Sequence, residues 1–348
     1  STQVTVGIDT DALAHWLDVC DAPGGGQPIT VHPLSGGSQN TLLRISRGAH
    51  AMVLRMPGPR SDASRLRGLR REIRLVRALK GTDVPHAELI AADDTGDILG
   101  QPFYVMAEVD GWSPMDGGWQ PPFDSSAQAR RDLAFALVDG AAKLGRVDWR
   151  SQGLEGFGHP DGFHERQVDR WLAFLADYQV RELPGLDVAA DWLRNHRPTS
   201  YTPGIMHGDC HLNNVMLRHD RPELAAFVDW EMCTVGDPLL DLGWMLVCWP
   251  TAPNAIVVGA ALAEAGGLAG RDELLDAYLA AGGRRTEHLD WYIAMACFKL
   301  GIVIEGTWSR FLAGLADREA GEKLHASATE LIHLGVRVAK GDNPFVYR

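Results

Sequence analysis

Met206-His207-Gly208-Asp209-Cys210-His211-Leu212-Asn213-Asn214-Val215-Met216-Leu217, and then Phe227-Val228-Asp229-Trp230-Glu231, is the stretch on which the reading of this chain turns. A polar loop runs into an apolar strand, a polar turn follows, and a second strand ends on a carboxylate. Asp209 has the chemistry of a general base. Asn214 offers a neutral carbonyl oxygen to a hard cation, and Asp229 offers an anionic one. Such groups suit phosphoryl transfer, where catalysis is mainly positioning and charge neutralisation. His207 reads as an organiser of the loop through its backbone, and Gly208 as the residue that permits a tight turn.

Other chemistries fit this stretch less well. His207, Cys210, His211 and Cys233 can be drawn as a zinc set, but the first three are crowded and lack the spacing of separated knuckles. The chain carries neither a G-x-S-x-G elbow nor an H-E-x-x-H helix. Just downstream, Asp237 can cap a helix or brace the metal loop. Asp241 can satisfy backbone groups of the turn around Asp209. The apolar run Trp244–Trp249 reads as a buried helix.

Upstream, Ile29 to Leu34, Thr41 to Ile45, and Ala51 to Met56 read as strands, with Ala87 to Ala92 and Phe103 to Ala107 as two more. Between the first two sits a glycine-rich turn containing Gly36, Gly37 and Ser38. It is an ordinary hairpin or a phosphate-approaching loop, and matches neither a Walker loop nor a dinucleotide fingerprint. Asp62 is placed to cap a helix reaching Lys80, with Leu66, Leu69, Ile73 and Val76 as its buried stripe. Glu72, at the edge of that stripe, is a plausible partner for Arg55 at the end of the third strand. The junction at Glu108–Gly111 separates a strand-rich lobe, residues 1–110, from a larger helical one, 111–348. In the second lobe helices are expected at Ser126–Arg146, His164–Gln179, Asp187–His196, Asn254–Glu264, Arg271–Ala280, Thr286–Phe311 and Arg318–Val338. Trp171, Phe174, Leu175 and Tyr178 are expected to pack the core.

A formal net charge of -12 argues against nucleic acid as a general partner, because a phosphate backbone is repelled. Five cysteines without a C-x-x-C pair suit a reduced compartment. Neither a signal peptide nor a membrane span is legible. The apolar segment Trp291 to Ile304 is interrupted by Lys299 and is too short to cross hydrocarbon. The expectation is a soluble, cytoplasmic protein; oligomeric state is not specified.

With these residues in place, the chain resembles the aminoglycoside phosphotransferase and choline-kinase-like superfamily, a branch of the protein-kinase-like fold. The resemblance rests on H-G-D-x-x-x-x-N at 207–214, V-D-W-E at 228–231 and G-D-P-L-L-D-L at 236–242, in that order. It implies an α+β, bilobal fold with a mainly β N-terminal lobe and a large helical C-terminal lobe. Asp209 then looks like the catalytic base, Asn214 and Asp229 like the Mg2+ pair, and His207 and Asp241 like supports of the loop. Gly36, Gly37 and Ser38 would cover nucleotide phosphates, with Arg55 and Glu72 steadying them. Met106, Glu108 and Val109 would border the adenine.

The family commonly has lysine where this chain has Arg55. The L-R-x-P form at Leu54–Pro57 is similar to the kinase-like domains fused to some acyl-CoA dehydrogenases. The short path from Asp229 to Asp237 leaves no room for a peptide-docking activation segment. The resemblance therefore implies transfer of the terminal phosphoryl of ATP, with GTP as the alternative nucleotide, to a hydroxyl on a small molecule. A hydroxyacyl compound, an amino sugar and an amino alcohol all remain open as acceptor. The competing reading is a catalytically weak nucleotide-binding regulator.

Overall fold

Two aspartates start the helices of the sheet-containing unit. Asp9 accepts the amide hydrogen of Ala12 (3.0 Å) at the head of α1 (Thr10–Val19), and Asp62 accepts that of Arg65 (3.0 Å) at the head of α2 (Ala63–Leu79). Each cap satisfies a donor that the first helical turn leaves open. The computed structural model describes residues 7–34, 40–114, 117–179, 181–250, 260–312 and 318–347. Contacts divide the chain into two compact units. The first is Ser1–Asp110 with Arg150–Leu154 and Ala225–Glu231; the second is Gly111–Trp149, Glu155–Leu224 and Met232–Arg348.

In the first unit, β1 (Ile29–Pro33), β2 (Asn40–Arg47), β3 (His50–Pro57), β4 (Leu89–Asp93) and β5 (Phe103–Ala107) make one antiparallel sheet in the order β1-β2-β3-β5-β4. Alternation along the strands sends Leu43, Ile45, Leu54 and Val105 to the face covered by Leu13 and Leu17 of α1. The opposite face packs Tyr104 and Leu89 against Leu69, Ile73 and Val76 of α2. Complete burial of a side chain such as Ile73 stabilises by roughly 1.5–3 kcal/mol, and Ile73→Ala would cost about 2–5 kcal/mol. Arg55 of β3 lies directly across from Tyr104 of β5, so both stand on the α2 face.

The remaining elements follow as α3 (Ala127–Arg146), α4 (Phe163–Ala176), α5 (Leu186–Asn195), β6 (Gly204–Met206), β7 (Val215–Leu217), β8 (Leu224–Phe227), β9 (Thr234–Gly236), α6 (Leu239–Cys248), α7 (Ala260–Ala263), α8 (Arg271–Ala280), α9 (Leu289–Leu312) and α10 (Arg318–Ala339). Ser126 caps α3, whose buried face carries Leu133, Leu137, Ala141 and Leu144. β6 pairs antiparallel with β9, Met206 opposite Thr234, which fixes where the His207 loop departs. α6 packs on α9, and α9 on α10. The α6–α9 approach is close: a Cβ on Gly243 would stand 2.5 Å from the Tyr292 carbonyl oxygen, so glycine is what fits.

Two expectations change. Phe174 is not core: it is 46% exposed, because the buried stripe of α4 runs through Val168, Trp171 and Leu175 and leaves Phe174 at its edge. Its ring instead meets Trp171 and Tyr178 edge-on. The expected helix at 254–264 lies largely outside the described residues, of which only α7 is helical there. Among the described residues no helix is long and apolar enough to cross a membrane.

Candidate active site

Asp241, buried in the first turn of α6, accepts the backbone N–H groups of His207 (2.6 Å) and Gly208 (2.9 Å). That is the supporting geometry expected of Asp241. Burial pushes its pKa up, although the two amides and Lys299 oppose that shift. His207 is fully buried, and its Nδ1 accepts the Asp209 amide hydrogen at 3.2 Å. Gly208 has φ +89° between them, and a Cβ there would meet the Met232 carbonyl oxygen at 2.6 Å. Only glycine suits that position.

The turn delivers Asp209 into a set of donors. Its Oδ1 accepts from Trp244 Nε1 (3.0 Å) and His211 Nε2 (3.0 Å), and its Oδ2 accepts from Asn214 Nδ2 (2.9 Å). His211 Nδ1 takes the Asn213 amide hydrogen at 3.2 Å, which leaves the ring proton on Nε2 for Asp209. Burial alone would raise the Asp209 pKa. The His211 hydrogen bond and the Lys299 charge outweigh it and hold the carboxyl well below the usual range. The side chain still keeps 34% of its surface exposed, so the ionised group remains accessible.

Asn214 spends its amide nitrogen on Asp209, donating also to the backbone oxygen (2.8 Å). Its carbonyl oxygen takes no hydrogen bond from the described residues. Neither does the carboxylate of Asp229, a residue held at φ +59°, a conformation that non-glycine residues rarely adopt. Both are hard oxygen donors of the kind Mg2+ takes. Asp229 belongs to the first unit, whereas Asp209 and Asn214 belong to the second. Among the described residues no group of three or more His, Cys, Asp or Glu side chains is arranged to hold a metal, so the zinc drawing through His207, Cys210, His211 and Cys233 has no geometric support.

In the first unit Arg55 Nε stands 2.8 Å from Glu72 Oε1, and Tyr104 donates its hydroxyl hydrogen to the same oxygen at 2.5 Å. All three side chains are buried. By distance Arg55 and Glu72 are an ion pair, but the angle is too poor for a hydrogen bond. Arg55 Nε and Nη2 are thus buried cationic N–H groups without one. Glu231 approaches Arg55 Nη2 at 3.7 Å. A cavity of about 410 Å3 opens beside the pair, with Asn40, Arg65, Glu72 and Glu231 among its walls.

Met106 pairs across the sheet with Val53, and the Glu108 amide donates to the Ala51 carbonyl (3.4 Å). Arg44 grips the Glu108 carboxylate and lowers its pKa, while Val109 is partly buried. Gly36, Gly37 and Ser38 lie outside the described residues. Trp112 and Trp149 are buried packing residues, and Trp119 donates to the Leu262 carbonyl (2.9 Å).

Sequence reading missed Trp244 and Lys299. Lys299 Nζ donates to the Gly208 carbonyl (2.7 Å) and stands over the Trp244 ring (4.5 Å) and the Trp171 ring (5.1 Å). A cation inside an otherwise apolar helical run was the available signal for it. Trp244 gave none, because an indole in an apolar run reads as packing.

A five-stranded antiparallel lobe, a helical part and an H-G-D-x-x-x-x-N loop braced from the following helix define a kinase-like phosphotransferase. The chain belongs to the phosphotransferase enzyme family, whose sequence profile matches residues 30–284. It is 26% identical over 343 residues to acyl-CoA dehydrogenase family member 11 of Gallus gallus, covering 96% of this chain and 44% of the relative. The chain thus spans under half the length of that relative. A candidate aminoglycoside phosphotransferase from Ralstonia eutropha JMP134 superposes with a TM-score of 0.80 at 27% identity, covering 96% of this chain and 99% of that one. The aminoglycoside phosphotransferase APH(4)-Ia, solved with ADP and hygromycin B, gives 0.57 at 15% identity, covering 89% and 94%.

Proposed function

We propose that this chain transfers the terminal phosphoryl group of ATP to a hydroxyl of a small molecule, with Asp209 receiving the hydroxyl proton. The observation that carries the reading is the Asp209 carboxylate, held ionised by three side-chain donors yet still exposed. A carboxyl with a depressed pKa is a weak base at rest. Its work is to orient the hydroxyl for in-line attack and to accept the proton as the oxygen's charge collapses into the new bond. Asn214 and Asp229 would hold Mg2+, which supplies charge neutralisation at the phosphates when bound. Arg55 offers buried N–H groups suited to a phosphate oxygen, and Glu72 and Tyr104 fix its position. His207 and Asp241 hold the loop's backbone; Met106, Glu108 and Val109 form the adenine edge, and Gly36, Gly37 and Ser38 the phosphate cover. These roles follow a lobe division at 110/111. ATP is supported by the ADP in the APH(4)-Ia complex.

For the acceptor, a hydroxyacyl compound is favoured over an amino sugar or amino alcohol. Support comes from the Arg55-bearing strand end and from relatives bearing acyl-CoA dehydrogenase names. The test is transfer of label from γ-labelled ATP with Mg2+ to a panel drawn from the three acceptor classes. Labelled hydroxyacyl product that disappears in Asp209→Asn is the expected result. Tight nucleotide binding without product from any class would replace this reading with a regulatory one.

A further inference from the structure

Three arginines meet where the α8–α9 loop passes the end of α3. Arg284 donates through Nε to the Thr202 carbonyl (3.0 Å) and through Nη2 to that of Pro203 (3.2 Å). Arg146 donates to the Ala281 carbonyl. Arg285 is exposed and makes no hydrogen bond or ion pair to the described residues. None of the three pairs with a carboxylate among the described residues, although acids outnumber bases across the chain. Such an excess usually supplies partners, so three uncompensated guanidinium groups in one place create a local positive potential against the overall charge.

Arg284 and Arg285 border a built cavity. A space of about 350 Å3 is lined by Arg284, Arg285 and Thr286 together with Ser200, Tyr201 and Thr202. The hydroxyls of Ser200 and Thr202 hydrogen-bond no described residue, so the wall offers spare donors beside the cations. No acidic residue lines this space; Glu287 and Asp290 line a neighbouring cavity that shares Arg284, Arg285 and Thr286 with it. Asp237, whose charge reaches Arg284, is already engaged by His164 (2.7 Å) and Tyr292 (2.5 Å). Burial lowers the Arg284 pKa against the raising influence of Tyr278 and Asp237, and the nearby Arg146 charge adds to the lowering. An anion in the cavity would relieve both effects.

We propose that this cavity is a binding site for the phosphate group of a small ligand, separate from the nucleotide and acceptor positions proposed above. The open guanidinium fork of Arg285, the charge of Arg284 behind it and the flanking hydroxyls match tetrahedral oxyanions better than planar or cationic groups. Leu239, the first residue of α6, and Tyr292 also line the space. An occupant therefore touches the helix whose Asp241 braces the His207 loop.

The proposal is tested by titrating inorganic phosphate into the full chain at constant ionic strength, with ADP saturating the nucleotide position. Saturable binding is expected in the ~1 mM range typical of a small charged ligand. Arg285→Glu, an exposed change that leaves the Arg284 hydrogen bonds in place, should weaken it at least about tenfold, and Arg285→Ala by less. Circular dichroism and unchanged phosphoryl transfer without phosphate would confirm that both variants fold. Absence of saturable binding in the parent chain overturns the assignment. So does binding that ADP abolishes, which belongs to the nucleotide position, or binding that Arg285→Glu leaves unchanged.

Discussion

The indole nitrogen of Trp244 donates to Asp209 Oδ1 at 3.0 Å, and the Lys299 ammonium stands 4.5 Å from the centre of the same indole's ring. Lys299 also holds the Gly208 carbonyl, so one cation and one indole from two packed helices grip adjacent residues of the loop. The close α6–α9 approach at Gly243 makes that meeting possible. Positive charge beside the ring and a hydrogen bond at its edge both favour an ionised Asp209.

Trp244→Phe should lower kcat and leave the nucleotide KM unchanged. A hydrogen bond to a charged group contributes about 1.5–3 kcal/mol. If that whole contribution serves to hold Asp209 in its orienting position, kcat falls by about 10- to 100-fold. A phenyl ring preserves the face beneath Lys299, which separates loss of the N–H from loss of the cation's seat. Steady-state kinetics with varied ATP decide it; an unchanged kcat would show that the indole donor does not orient Asp209.

Asp209→Asn should fold, bind nucleotide, and lose transfer by roughly 100- to 10,000-fold, the usual scale for a general base. Calorimetric titration of ADP alongside the transfer assay separates binding from chemistry. If nucleotide affinity collapses with activity, the side chain serves the nucleotide and not the acceptor.

The same substitution carries a pH signature. Asp209 has a folded pKa below its ordinary 3.8, so the unfolded chain binds the proton more readily. Its contribution to stability is therefore complete above about pH 3.8 and is lost as pH falls through the depressed folded value. The parent's Tm should exceed that of Asp209→Asn at pH 6, with the gap narrowing under more acid conditions. A gap that widens toward low pH would contradict the ionised, donor-held carboxylate.

Legibility in the sequence follows the range of the interactions. Asp62 as a cap, the α2 stripe and the apolar run of β3 are local patterns, and the sequence alone places them within a residue or two. Asp209, Asn214 and Asp229 are proposed from the sequence because their spacing is itself the motif. Trp244 and Lys299 lie far along the chain from the loop they hold, and nothing short of the helix packing reveals their direction. His211 was visible only as a poor zinc ligand, because its value depends on which ring nitrogen the Asn213 amide occupies. The left-handed backbone at Asp229 has no side-chain signature at all.

Tyr104→Phe should destabilise the first unit by about 1.5–3 kcal/mol, since it removes a hydrogen bond to a buried carboxylate. Glu72 would be left with Arg55, whose approach is close but poorly angled. Burial already raises the Glu72 pKa against the lowering effects of Arg55 and Tyr104. Deleting the phenol raises it further. A carboxyl with a raised folded pKa costs stability as pH climbs from its ordinary 4.5 through the folded value, because the native state must then give up a proton it holds more tightly than the unfolded chain does. The extra cost of Tyr104→Phe should accordingly be small at pH 4 and complete at pH 8. Urea unfolding at both values, followed by a probe in the sheet, measures it. An equal cost at the two pH values would mean that the hydroxyl acts through packing, and that Arg55 alone fixes the charge of Glu72.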